Sequence, residues 1–226
     1  VLLNIDLGEL PGEPESLYAC AQIANVACGG HAGDEASMAR AVELCRRHGA
    51  AVGAHPSYPD REGFGRRPMS LDPAALRAAV QEQCARLAAV TRRAGAVVAF
   101  VKAHGALYHA TKEAGVSDAL VEGATAALGG DVAFLGPSVG ALSRRAAQAG
   151  LRYLREGFAD RGIRADGSLV PRGEPGALVS DPAAAAAQAL AIATRGAADT
   201  ICVHGDGPNA EAVARAVRAA LDALPR

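Results

Sequence analysis

The sequence has no tryptophan and only 4% aromatic residues, so its core must be built from valine, leucine, isoleucine and alanine. Half of the 226 residues are hydrophobic, enough for one sizeable core. No apolar run approaches the ~20 residues that cross a bilayer. The opening VLLNIDLGEL has no basic stretch and meets Asn4 and Asp6 too early for a secretory signal, so a cytoplasmic, membrane-free protein is expected. Neither charge is in excess: the formal net charge is -1, with no long run of one sign, which argues against nucleic acid as a partner. Cys20, Cys28, Cys45, Cys84 and Cys202 form no CxxC pair and are expected to be buried free thiols. Walker A, dinucleotide-fingerprint and HExxH motifs are missing too. With no Pro/Gly/Ser-rich linker, residues 1–226 are expected to form a single domain.

What is present is an alternation of short apolar runs with helical patterns. Strands are expected at 1–5, 24–28, 50–54, 96–101, 131–135, 151–155 and 200–203. Most are too apolar for a sheet with one wet face. Residues 73–94 read as a helix, with Asp72 before it, Pro73 in its first turn, Leu76, Val80, Leu87 and Val90 along one stripe, and Gly95 after it. Residues 34–48 form another, ending at Gly49, while Asp181-Pro182 and Pro208 open two more. Strand–helix alternation makes the sheet parallel. Polar residues follow nearly every strand, as converging loops of a closed barrel require, so the expected fold is α/β, a distorted TIM-like (β/α)7 barrel.

The candidate chemistry sits at those strand ends. Asn4 and Asp6 share one face of the first strand, because side chains alternate with a period of two. Lys102 and His104 do so at the fourth strand, and Cys202, His204 and Asp206 at the seventh. A lysine ending an apolar strand is costly to desolvate unless paired; burial would depress its pKa, or a bound anion would compensate it. His31, His55, His104 and His204 each follow a different strand, which a coincidence of core histidines does not explain. His48, in the last turn of a helix, and His109, beyond a strand end, read as surface residues, and Asp34 as a helix cap. The loop holding Gly63-Phe64-Gly65-Arg66-Arg67 is either plain surface or a lid over an anionic substrate. Exposed N–H groups at the helix opened by Pro208 are a candidate anion holder.

Gly136-Pro137-Ser138-Val139-Gly140 matches the GxSxG nucleophile elbow, with Asp160 and His204 following in hydrolase order. That reading leaves Asp6, His31, His55, Lys102 and His104 without a role, which counts against it.

The strings ANVACGGHAGD, VGAHPSYPDREGFGRR, VKAHGALY, EGFADRGI, DGSLVPRGEPGA and ICVHGDGPNA, in order along nearly the whole chain, resemble the LamB/YcsF family, the A subunits of bacterial 5-oxoprolinase. The resemblance implies a barrel of the glycoside hydrolase/deacetylase type. It also implies ATP-dependent opening of the lactam 5-oxo-L-proline to L-glutamate, in a complex with subunits B and C. Family motifs carry over at Asp6, Glu9, Asn25, His31, His55, Arg66, Arg67, Lys102, His104, Glu156, Asp160, Arg161, Arg172, His204 and Asp206. Gly30, Glu35, Ala103 and His109 depart from the usual pattern.

On this basis Asp6, His31, His55, Lys102, His104, Asp160 and His204 are expected to be catalytic. Asp6 would activate water with His31 or His55, Lys102 and Arg161 would neutralise substrate carboxylate or phosphate, and His104 and His204 would pass protons. Asn4, Glu9, Asn25, Arg66, Arg67, Glu156, Arg161, Arg172 and Asp206 are expected to bind substrate. ATP is the expected co-substrate, bound here or by a partner subunit. The deacetylase relationship implies a divalent metal on Asp6, His31 and His55, against which stands a metal-free hydrogen-bonded network. A stand-alone metal-dependent deacetylase or amidohydrolase and a non-catalytic scaffold subunit are the alternative functions.

Overall fold

In a computed structural model describing residues 1–224, seven parallel strands close into a barrel in chain order, β1 through β7. Residues 225 and 226 of the expected domain lie outside the described ones. The first half runs β1 (Leu2–Leu7), α1 (Glu15–Cys20), β2 (Ile23–Ala27), α2 (Glu35–His48), β3 (Ala51–His55), α3 (Pro73–Arg93) and β4 (Val98–Lys102). The second runs α4 (Gly105–Ala110), α5 (Ala114–Leu128), β5 (Ala133–Gly136), α6 (Ala141–Gln148), β6 (Tyr153–Phe158), α7 (Pro182–Thr194), β7 (Thr200–His204) and α8 (Ala210–Asp222).

Strand alternation divides the interior from the helical shell. Leu3, Ile5 and Leu7 of β1 are fully buried in the large cluster between strands and helices. Each such side chain contributes about 1.5–3 kcal/mol by leaving water. A second, smaller cluster of Ile23, Phe100, Ala133, Leu135 and Leu154, with Leu2 packed against it, fills the N-terminal end of the barrel. Towards the C-terminal ends the alternate positions turn polar: Asn4, Asp6, Asn25, Lys102 and Glu156 are all buried. Closure of β1 on β7 sets Asn4 level with Cys202 and Asp6 level with His204, while β2 sets Asn25 beside Asp6.

Several observed strands extend past their expected ends, to Leu7, Lys102, Gly136, Phe158 and His204. An apolar-run reading stops at the first polar residue, but here polar residues stay in the ladder because they pair inside the barrel. Helices α1, α4, α5 and α6 lie outside the four expected. The last helix begins at Ala210 rather than Pro208, with Asn209 in the left-handed region (φ 56), so its first turn is set back from the end of β7. Asp34 caps α2, accepting the Ser37 N–H at 2.8 Å, as expected. All five cysteines are buried and free. No helix among the described residues is long and apolar enough to cross a membrane.

Candidate active site

Asp6 is the centre of the polar interior. Its Oδ1 accepts from Asn25 Nδ2 at 2.9 Å and from Lys102 Nζ at 2.8 Å. Its Oδ2 lies 3.3 Å from His55 Nε2 and 3.9 Å from His204 Nε2. Burial opposes its charge, but His55 and Lys102 outweigh burial and hold the carboxyl well below the usual range. A carboxylate so stabilised is a weak base.

Lys102 Nζ also lies 2.9 Å from Glu156 Oε1 and 3.2 Å from Asn4 Oδ1, and donates to Cys202 Sγ at 2.9 Å. Burial disfavours the ammonium, but the Asp6 and Glu156 carboxylates overcome it and raise the pKa well above the lysine norm. The anions beside Lys102 are therefore the protein's own carboxylates, Asp6 and Glu156, and Lys102 also lines the cavity described below. Asn4 and Asn25, expected to bind substrate, are fully buried and off the lining of the cavity described below. Asn4 donates to Thr200 Oγ1 at 2.9 Å and accepts from Asn25 at 2.8 Å, which fixes the faces of Asp6 and Lys102. Glu156 lies beneath the same network, buried against Lys102.

A second group gathers His31, His55 and His104 around Glu9. Glu9 Oε1 lies 2.9 Å from His31 Nε2, 3.1 Å from His104 Nδ1 and 3.7 Å from His55 Nε2. The His31 and His104 rings stack with centroids 3.6 Å apart, and Phe64 stands edge-on to both. Glu9 is turned inward by Glu13, whose carboxylate accepts the N–H groups of Gly8, Glu9 and Leu10 at 2.7, 2.8 and 3.0 Å. Glu13 has no periodic signature, and nothing in its sequence surroundings singles it out.

Proton counting constrains this group. His55 Nδ1 lies 2.7 Å from the Lys102 carbonyl and His104 Nε2 lies 2.9 Å from the Phe64 carbonyl. A carbonyl only accepts, so both nitrogens carry hydrogen. The remaining nitrogens, His55 Nε2 and His104 Nδ1, face each other at 3.0 Å. Two lone pairs cannot meet there unless a proton or a metal cation lies between the rings and Glu9. For the proton, burial opposes a charged His55, but the Asp6 and Glu9 carboxylates outweigh it and raise its pKa. For the metal, Glu9, His31, His55 and His104 offer converging donors of the nitrogen and oxygen kind that zinc accepts. The set therefore fits a divalent cation, but not around the expected Asp6, His31 and His55. Asp6 groups instead with Cys202 and His204.

The third feature joins β6 to β7. Asp160 accepts the His204 backbone N–H at 2.7 Å and lies 3.0 Å from His204 Nδ1 through both of its oxygens. Nδ1 therefore carries the hydrogen, leaving Nε2 as a free acceptor on the side of Asp6. Burial opposes the Asp160 charge, but His204 outweighs it and lowers the carboxyl pKa.

A cavity of about 390 Å³ opens above these groups. Asp6, His55, Lys102, His104 and His204 line it, as do Arg66, Arg161, Arg172 and His109. His31, Glu9, Asn4, Asn25 and Glu156 are not on its lining. Arg66 pairs with Asp206 across the mouth, whereas Arg67 turns outward to Glu62 at 3.4 Å and Asp60 at 3.8 Å. His109, read from sequence as a plain surface residue, is exposed yet lines the cavity. His48 is a surface residue, 2.8 Å from Glu15. Loop residues 63–67 are packed down onto the histidines, as a lid would be. Gly65 (φ 64) is required there: a Cβ would lie 2.9 Å from His31 Cβ and 3.0 Å from His104 Cδ2. Ser138 is exposed and donates to the Ala197 carbonyl at 3.3 Å, while His204 faces Asp6, so no nucleophile elbow exists here.

A closed parallel barrel with a buried network of carboxylates, imidazoles and a lysine at its C-terminal mouth defines a class, the (β/α)7-barrel enzymes. The chain belongs to the LamB/YcsF family, whose model matches residues 1–225. It is 45% identical to the 5-oxoprolinase A subunit from Methylococcus capsulatus (strain Bath), across 98% of this chain and 92% of that protein. It is 43% identical to the protein of the same name from Chloroflexus aggregans, across 98% and 94%. The crystal structure of the lactam utilization protein from Thermus thermophilus matches with a TM-score of 0.90 at 37% identity, covering 98% of this chain and 96% of that one.

Proposed function

We propose that the chain is the A subunit of a 5-oxoprolinase, hydrolysing the lactam of 5-oxo-L-proline to L-glutamate with consumption of ATP, in a complex with subunits B and C. The observation that carries this reading is full-length similarity to relatives of that name. The site supports it with a polar cavity and an oriented histidine base. The described residues 1–224 act as one barrel domain.

An unstrained lactam carbonyl is a poor electrophile. Transfer of the ATP γ-phosphoryl group to the amide oxygen makes the ring carbon open to attack. His204, held by Asp160, takes a proton from water through Nε2 as the water adds. The ring C–N bond then breaks as His204 returns its proton to the ring nitrogen, leaving the glutamate side chain as an acyl phosphate, and a second water hydrolyses that acyl phosphate to L-glutamate and phosphate. Lys102 keeps Asp6 ionised beside the imidazolium that forms on His204. This assignment replaces water activation by Asp6 with His31 or His55: Asp6 is too weak a base, and His31 is not on the cavity lining. His104 has both ring nitrogens engaged and holds the lid rather than passing protons. A divalent cation on Glu9, His31, His55 and His104 would supply Lewis acidity beside the cavity when bound. Elemental analysis of protein purified without a metal column separates the two fillings: one equivalent of metal replaces the shared proton, and a blank leaves the proton.

The test is turnover of 5-oxo-L-proline and ATP with this chain, with the other subunits, and with both together. Activity is expected only with all subunits present, and is expected to be lost with Asp6→Ala or Lys102→Ala. Lactam hydrolysis by the chain alone without ATP would instead make it a stand-alone amidohydrolase, and full activity of those variants would make it a scaffold.

A further inference from the structure

The charges around the cavity are unevenly matched. Lys102 is balanced by Asp6 and Glu156, and Arg66 by Asp206. Arg172 reaches the same Asp206 only at 3.9 Å. Arg161 has no such match. It is 4% exposed, donates from Nε to the Ala177 carbonyl at 3.1 Å and from Nη2 to the Val170 carbonyl at 2.6 Å, and has no carboxylate at ion-pair distance among the described residues. Its sequence neighbour Asp160 is committed to His204. Burial, then the charge of Arg172 and more weakly that of Arg66, press its pKa down against the opposing charge of Asp160. His109 experiences the same crowd: partial burial and the charges of Arg161, Lys112 and Arg172 lower its pKa. The two carbonyl bonds use only part of the guanidinium fork, and Arg161 and Arg172 both line the cavity. The ring of Phe158 and the side chains of Leu169 and Val170 line it as well.

We propose that Arg161, Arg172 and His109 form an anion subsite that takes the carboxylate of the substrate, laying its ring against Phe158 and Val170 with the amide towards His204. This rests on the lactam reading above and adds to it the group by which the substrate is selected. A carboxylate supplies the missing counter-charge and matches the planar arginine forks. A lactam without it gains neither. Arg66 stays tied to Asp206 and is not needed for the contact.

The test is calorimetric titration of the full chain with 5-oxo-L-proline and with 2-pyrrolidinone, the same ring without the carboxylate. Arg161→Gln and Arg172→Gln are each expected to weaken 5-oxo-L-proline at least about tenfold while leaving 2-pyrrolidinone unchanged, since a charge-assisted bond is lost only for the acid. Arg172 is half-buried and tied only by the long contact to Asp206, so its variant keeps the test usable if Arg161→Gln fails to fold. Equal affinity of wild type and Arg172→Gln for 5-oxo-L-proline overturns the subsite and leaves the lactam reading standing. Arginine-dependent binding of acetate or inorganic phosphate, with no response to either lactam, overturns the assignment of a lactam acid and leaves a plain anion site. A wild-type chain that binds none of these overturns the proposal outright.

Discussion

At the scale of the residue, the deciding feature is how buried charge is matched. Lys102 is 2% exposed and holds Asp6 and Glu156 together. Lys102→Met leaves two buried carboxylates without their cation, so urea denaturation is expected to show a loss of about 3–5 kcal/mol, the cost of breaking a buried ion pair. Asp160→Asn should fold, because the amide still accepts from the His204 backbone. It no longer fixes the imidazole tautomer, however, so kcat in the reconstituted complex is expected to fall at least about 100-fold with little change in KM. The same variant reports a linkage. Asp160 has its pKa lowered in the fold, so its stabilising contribution is present above the unfolded value of about 3.9 and is lost as pH falls through the folded value. Denaturation across a pH series should therefore show a shallower acid loss for D160N than for wild type. Same-face spacing made Asp6, Lys102 and His204 legible in the sequence. It could not separate Arg66 from Arg67, which differ only in which way a loop turns them, nor show that Glu9 joins three histidines through a turn held by Glu13.

At the scale of the element, short apolar runs located every strand within a few residues, while α1, α4, α5 and α6 escaped. Residues 114–128 are rich in alanine and glycine, so α5 has no polar face sharp enough to mark a helix in sequence. The β3–α3 loop shows a different limit. Its composition allowed either a surface loop or a lid, and only contacts distant in sequence show that it is packed down onto the histidines. His104 Nε2 donates to the Phe64 carbonyl at 2.9 Å, and Ala106 donates its N–H to the Gly65 carbonyl at 2.9 Å. Gly65→Ala is expected to cost about 1–3 kcal/mol, combining a left-handed backbone strained for alanine with a Cβ pressed on His31 and His104. The loss should appear as a lowered midpoint in denaturation, together with faster proteolysis of the 56–72 loop.

At the scale of the whole molecule, the barrel interior is divided along its axis. An apolar plug of Ile23, Phe100, Ala133, Leu135 and Leu154 fills one end, and the ionic network fills the other. The plug is apolar and shares no residue with the cavity lining, so the network is approached from the cavity side. Closure was legible because polar residues follow almost every strand, whereas the plug was not. Its members come from β2, β4, β5 and β6, and only ring closure brings them together. This division predicts separable effects. Leu135 is fully buried in the plug and is level with Lys102 on the neighbouring strand. Leu135→Ala is expected to lower stability by about 2–5 kcal/mol, the range for a buried leucine that leaves a cavity behind. It removes no charge and no cavity-lining group, so the affinity for 5-oxo-L-proline measured well below the unfolding midpoint should stay within about twofold. Arg172→Gln should do the reverse, sparing stability, because the Arg172 side chain is partly exposed and its ion pair long. If Leu135→Ala instead weakens ligand binding as much as Arg172→Gln does, plug and network act as one unit, and the division along the axis is wrong.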